Sequence, residues 1–380
     1  VPSHCLAAMA IRLYAQRTFA SARRHLSTRP INLALFDPQT LVQPVVARDD
    51  AWAFTPLCNV LAVTGNTSDC SRTPSFMGQG EKMYAIPHTA SILDACKQMV
   101  QQDLSFLVVV RPTISAGNAV IGVATEHKWV RYGAEKIRDA GDDERSAFLS
   151  GWSLSDPVYK IMTPTDRMLS LSPFDTVLHC VSILEKKLFR HLPVVSPGNG
   201  DLRGILNVKE LLRPNGQLWA PLRDLWSEVP VEKIVGLGGQ DISPERYMVD
   251  SKSMLSDAVV HMAEFNLKFV LAVDRADGDR VKGVITERDY VIYGSKVEQR
   301  RRVGGHSMSQ TIEELMTTAE NMLAAREGDT GAQCLDEMLA ASQRYMPVLN
   351  KEGTHVTGIL TLGDLISPVF ANKQYMPGQH

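Results

Sequence analysis

The chain has 380 residues, of which 44% are hydrophobic and 22% charged, with a formal net charge of −2. That is the composition of globular domains, long enough for two or three cores, and its near-neutral charge gives no reason to expect nucleic acid or an anionic membrane surface as partner. Six cysteines form no C-x-x-C pair and no metal-ligand spacing with histidine, which argues against a zinc site or a disulfide framework, and no apolar run approaches the roughly 20 residues of a membrane span.

Residues 1–35 carry Arg12, Arg17, Arg23, Arg24 and Arg29 with no acidic residue before Asp37, the composition of an organellar import presequence; the alternative is a disordered basic tail. Arg24-His25-Leu26-Ser27-Thr28 resembles a mitochondrial cleavage point, so a mitochondrial location, on the matrix side, is expected. Residues 36–76 are rich in Pro, Thr, Ser and Asn and predict an irregular arm that wraps the body or contacts a partner. From residue 77, Ile92, Leu93, Cys96 and Met99 have helical spacing, Phe106 to Val110 predicts a buried strand, and Val120 to Val123 another. Val158 to Pro164 opens a second unit, in which Val177, Val181, Leu184 and Leu188 mark a helix and Leu192 to Val195 a strand. Residues 214–234, with Pro214, Pro221 and Pro230 around Trp219 and Trp226, predict a linker whose tryptophans dock on a neighbouring domain.

The second half repeats the first. Ile161-Met162-Thr163 recurs as Leu315-Met316-Thr317, Pro193-Val194 as Pro347-Val348, and Gly204-Ile205-Leu206 as Gly358-Ile359-Leu360, all at one offset. Trp129-Val130-Arg131-Tyr132-Gly133 reappears as Tyr290-Val291-Ile292-Tyr293-Gly294. A pair has been duplicated. Within it, four stretches share one form: Gly122 to Lys128, Gly204 to Glu210, Gly283 to Asp289 and Gly358 to Asp364. Each is a short apolar strand, a hydroxyl or amide residue, and a helix-like run, with a polar residue three positions on. A Thr at a helix start caps free N–H groups that also attract anions, and a carboxylate one turn on can accept both hydroxyls of a ribose. Capping alone is the plain alternative; four matched copies point beyond it.

These residues carry a resemblance. The I-M-T-P, D-T-V, R-H-L-P-V-V and G-I-x-T-x-x-D patterns resemble the cystathionine-β-synthase (CBS) domain, and residues 77–370 look like four copies, similar to the mitochondrial CBS-pair proteins of plants but doubled. The resemblance implies an α/β (α+β) fold of four β-α-β-β-α repeats in two Bateman-type pairs, at 77–215 and 235–370. The arm precedes them, a linker at 216–234 separates them, and a tail at 371–380 follows. It also implies clefts for adenosyl compounds (AMP, ADP, ATP, S-adenosylmethionine or NAD(H)) and a regulatory, non-catalytic role toward a protein partner in the mitochondrion.

Carried over by residue, Thr286 with Asp289 and Thr361 with Asp364 match the binding pattern. In the first half Thr125 is followed by Lys128, and Asn207 by Glu210. Lysine cannot accept a ribose hydroxyl, so the first pair is expected to be structural, to bind weakly, or to take phosphate on Lys128. Arg288, Arg344 and Lys268 are the expected phosphate-facing cations, and Val270 and Met346 the apolar clamps on adenine. The glycine-rich Gly236 to Gly239 and Gly78 to Gly80 lack P-loop spacing and predict flexible connections; Arg300 to Arg302 predicts a solvated run. The competing readings are a structural accessory subunit of a mitochondrial assembly and a gamma-like subunit of an AMP-activated kinase. The import-like start weighs against the second.

Overall fold

A computed structural model describes Leu57 and residues 84–112, 118–139, 153–177, 179, 180, 183, 191–197, 200, 202–207, 219–238, 243–296, 310–341 and 343–366, all within one compact unit, Pro44–His380. The expected presequence, all of the arm but Leu57, the tail, Glu210 and Arg300 to Arg302 lie outside the described residues.

β1 (Ala85–Pro87) runs parallel to β2 (Phe106–Pro112), which pairs antiparallel with β3 (Asn118–Thr125); β3 carries β4 (Thr163–Pro164) on its other edge. Between β1 and β2 lies helix α1 (Ile92–Gln101), opened by a capping box in which the Ser91 hydroxyl accepts from Asp94 N–H while the Asp94 carboxylate accepts from Ser91. Ile92, Ala95, Cys96 and Met99 form its buried stripe. Helix α2 (Glu126–Asp139) follows β3 directly. The next sheet pairs β5 (His191–Val195) with β6 (Leu202–Asn207). After α3 (Trp219–Leu225) the first pattern returns, with β7 (Met248–Asp250), β8 (Phe269–Asp274), β9 (Arg280–Thr286) and β10 (Thr317–Thr318) in the order β10-β9-β8-β7. Helices α4 (Leu255–Glu264), α5 (Glu287–Ser295) and α6 (Ile312–Leu315) accompany them. β11 (Ala325–Arg326), β12 (Tyr345–Leu349) and β13 (Val356–Thr361) make the last sheet, with α7 (Gly331–Ala340) and α8 (Leu362–Ile366).

The two halves share register down to their irregularities. The β2–β3 ladder shifts between Val109 and Val110, and β8–β9 at the equivalent Ala272 and Val273. β5–β6 shifts between Val194 and Val195, and β12–β13 between Val348 and Leu349. Among the described residues no helix is long and apolar enough to cross a membrane.

Glycine has a steric reason at two of the repeated stretches. A Cβ at Gly122 would overlap the carbonyl oxygen of Thr163, and one at Gly283 that of Thr317, so only glycine lets β4 and β10 close on β3 and β9. Gly283→Ala is expected to destabilise the fold by about 1–3 kcal/mol through this overlap, read as a lower urea midpoint at unchanged slope; an unchanged midpoint would show that β10 contributes nothing.

Sheets pack within each half and helices pack across them. In the first half Phe106, Val108, Val110 and Val120 meet Leu202 and Ile205, and in the second half Val273 and Val281 meet Leu349. Another core joins Cys96, Met99, Trp129 and Val130 of the first half to Val259, Met262, Tyr290 and Val291 of the second. At its centre the equivalent residues Trp129 and Tyr290 stack on each other, centroids 5.4 Å apart and planes 15° apart. Gly133 and Gly294, one turn further along α2 and α5, make the room: a Cβ on Gly133 would overlap the Tyr290 hydroxyl, and one on Gly294 would lie 3.3 Å from the Trp129 ring. The repeated aromatic-to-glycine run is therefore the joint between halves.

Four segments dock at helix starts by one device. Val158 N–H donates to Ala90 O, Val231 N–H to Asp329 O, Ile312 N–H to Ser253 O and Leu57 N–H to Asp175 O, each at 2.8 Å. Leu57, in the arm expected to be irregular, is fully buried there. In the linker Trp226 is also fully buried, its indole N–H donating to Leu365 O at 2.8 Å, so that tryptophan docks as expected. Cys96, Cys180 and Cys334 are free, buried thiols, each pushed to higher pKa by burial.

Candidate functional site at the strand-to-helix junctions

At the third junction Thr286 ends β9 and caps α5. Its backbone N–H and its hydroxyl both donate to Asp289 Oδ2 at 2.8 Å, and Asp289 N–H returns a bond to Thr286 Oγ1 at 3.3 Å. Asp289 also lines a cavity of about 150 Å³ with Leu255, Ile292, Tyr293, Lys296 and Leu315. One carboxylate oxygen is thus held by the cap. For Oδ1 no acceptor role toward the protein is found among the described residues, and burial raises the pKa of this group against the Thr286 bonds and the Arg288 charge.

The fourth junction has the same box but a different surround. Thr361 N–H and hydroxyl donate to Asp364 Oδ2 at 2.8 Å. Oδ1 accepts from Gly238 N–H, also at 2.8 Å. Thr361 is 0% and Asp364 1% exposed. Burial raises the Asp364 pKa and these backbone bonds oppose it. The two junctions that match in sequence therefore differ in access: Asp289 lines a cavity, and Asp364 is sealed by the chain.

The cations divide as well. Lys268 Nζ lies 3.2 Å from Glu287 Oε1; its pKa is lowered by burial first, with Glu287 opposing and the neighbouring Arg344 charge adding. Lys268 and Arg344, from equivalent positions before β8 and β12, are thus brought within electrostatic reach, and the Arg344 guanidinium sits 5.9 Å from the Tyr345 ring. Arg288 goes elsewhere. It reaches into the first half, donating to Leu104 O at 2.6 Å, Met99 O at 3.1 Å and Glu126 Oε1 at 3.1 Å, and to Asp103 Oδ1 at 3.0 Å. This corrects the expectation of a phosphate-facing side chain, because the carbonyls of Met99 and Leu104, at and just beyond the last turn of α1, and the buried Glu126 carboxylate take the guanidinium first. Val270 and Met346 are 0% exposed, inside β8 and β12; as placed they are core residues, and the expected adenine clamps are corrected accordingly.

In the first half Thr125 Oγ1 accepts Lys128 N–H at 3.2 Å, the same cap without a carboxylate. The Lys128 pKa is lowered by burial and by the charges of Arg131 and Arg167, so cations gather where the third junction has its acid. Asn207 ends β6.

Sequence reasoning missed Glu126 and Glu287. Both open their helices and are buried. Each is held by the residue after the other: Glu126 by Arg288, and Glu287 by His127, whose Nδ1 lies 2.5 Å from Oε1. The signal was present, since Thr-Glu occurs at the first and third junctions while the second and fourth have Asn207-Val208 and Thr361-Leu362.

The family model described as the CBS domain matches residues 158–214 and 312–370, two stretches where the sequence led us to expect four. A 17.7 kDa protein of Acidianus ambivalens is 30% identical over 132 residues, 35% of this chain and 66% of that protein. The mitochondrial CBS domain-containing protein CBSX3 of Arabidopsis thaliana is 26% identical over 123 residues, 32% of this chain and 52% of that protein. The chain thus spans between half and two thirds of the length of these curated relatives. The crystal structure of protein MJ1225 from Methanocaldococcus jannaschii is similar with a TM-score of 0.59 and 19% identity, covering 76% of this chain and 96% of that one; the likeness is one of fold.

Proposed function

We propose that this chain, a CBS-domain protein with CBS regions at residues 158–214 and 312–370, is a non-catalytic sensor of an adenosyl nucleotide bound at its third junction. The observation that carries this reading is Asp289, one oxygen fixed by the Thr286 cap and the residue lining a cavity. A fixed carboxylate that meets a cavity is an acceptor for a ribose diol. Lys268 and Arg344 supply positive charge for the phosphates, and a ligand that draws Lys268 away from Glu287 alters the contact between halves. Such a ligand shifts the arrangement only by its differential affinity for the two states. Residues 84–139 and 243–296 are read as two further, diverged copies of the domain, on the matched registers of β1–β3 and β7–β9.

The mitochondrial setting and a mitochondrial protein partner belong to the same proposal. They are supported by the basic, acid-free residues 1–35 and by similarity to a mitochondrial protein. A second reading, a structural accessory subunit, is favoured by the commitment of Arg288 to the joint and the sealing of Asp364.

Calorimetric titration of the full chain with AMP, ADP, ATP, NADH and S-adenosylmethionine separates the two. Asp289→Ala is expected to weaken binding ten- to hundredfold, the range for losing a charge-assisted hydrogen bond of about 1.5–3 kcal/mol. Silence of the wild type with all five compounds would leave the structural reading standing.

A further inference from the structure

The segments that follow the docked residues are equivalent in sequence position but not in conformation. After Val158 and Ile312 the chain extends as β4 and β10 and pairs with the strand that leads into the junction. After Val231 it does not. Val235 N–H bonds back to Val231 O and Leu237 N–H to Ile234 O, Gly236 takes φ +85°, and the last sheet keeps three strands. The turn so formed reaches the fourth junction. Gly238 donates to Asp364 Oδ1, and a Cβ on Gly238 would lie 3.1 Å from that oxygen and from Gly363 C. Gly358 leaves its space to Val235, whose side chain lies 3.2 Å from where a Cβ would stand. Residues Val235 to Gly238 therefore fit this junction closely, and their glycines answer two separate demands, a positive φ and a close approach.

We propose that the Ile234–Gly238 turn is a built-in latch on the fourth junction. Its Gly238 N–H holds the Asp364 carboxylate that would otherwise face a ligand, so the second half presents one open junction and one closed by its own linker. Opening the second would require lifting the segment that joins the halves, which couples occupancy of that junction to the position of Trp226 and Val231. The prediction of a second ligand rests on the nucleotide reading above; the latch itself does not.

The test is calorimetric titration of the full chain with AMP and ATP, run beside hydrogen–deuterium exchange. Gly238→Ala pushes on Asp364 Oδ1, and Gly236→Ala strains the turn independently, so that one misfolded variant does not end the experiment. We expect wild type to bind one nucleotide per chain and either variant two, the added site disappearing with Asp364→Ala but not with Asp289→Ala. Exchange at the amides of Gly238, Thr361 and Asp364 should quicken by about tenfold or more once a bond to a buried carboxylate is lost. Two sites in the wild type, or one in both folded variants, would overturn the latch. If the wild type binds no nucleotide, the ligand reading fails and exchange decides alone: quickened exchange in either variant supports the latch, and unchanged exchange in both overturns it.

Discussion

Arg288→Ala is expected to cost the fold about 3–5 kcal/mol, the range for breaking one partner out of a buried ion pair. The Glu126 side chain is 7% exposed and pairs with Arg288 of the second half at 3.1 Å. Removing the guanidinium leaves that carboxylate buried and also strips the carbonyls of Met99 and Leu104 of a donor. Arg288→Lys should recover only part of the loss, since an ammonium on a flexible stem cannot satisfy two carbonyls and two carboxylates at once. A double-mutant cycle identifies the cause. If the penalty is the stranded charge, Glu126→Gln should be far less harmful in the Arg288→Ala background than additivity allows. Urea denaturation of the four proteins measures this; strict additivity would refute a coupled pair. The site lies one residue from Asp289, so the same four proteins show whether the joint tunes nucleotide affinity.

Much of this was legible in the sequence, because duplication prints equivalent residues twice. The α/β order, the strands through Phe106 and Leu192, and the junction positions follow from apolar runs and from Gly122, Gly283 and Gly358, each of which leaves space for another segment. What sequence could not tell is which way a side chain is claimed. Thr286-Asp289 and Thr361-Asp364 read alike, and both are capping boxes, the device that Ser91-Asp94 and Thr330-Gln333 use away from any junction. What separates Asp289 from Asp364 is a neighbour more than a hundred residues away in the chain, Gly238, and no local pattern announces it. Arg288 was misjudged for the same reason: its partners, Met99, Asp103, Leu104 and Glu126, come from the other half. The recurring run from Trp129 to Gly133 was visible as a repeat, but its purpose appeared only when Trp129 and Tyr290 were seen stacked.

Trp226→Ala is expected to be as damaging as any change in the linker, at about 3–5 kcal/mol for emptying a fully buried aromatic site. The indole fills space beside Gly331, where a Cβ would come within 3.0 Å of Trp226 Cβ, and Trp226 O accepts Ala332 N–H at 3.1 Å, so the residue is built into the start of α7. Its N–H meets Leu365 O in α8, a helix of five residues that is too short to hold itself. Trp226→Phe separates the two contributions. It keeps most of the packing but leaves Leu365 O without its indole donor, a loss of about 1–3 kcal/mol. Thermal melting gives the total effect, and exchange at the Asp364 and Leu365 amides gives the local one. If Trp226 anchors both the linker and the last helix, Trp226→Phe should quicken exchange at α8 and at Gly238 together, because the same short segment carries the indole and the turn that closes on Asp364. Quickening at α8 alone would mean that the turn is held by Asp364 and Val235 without help from the tryptophan.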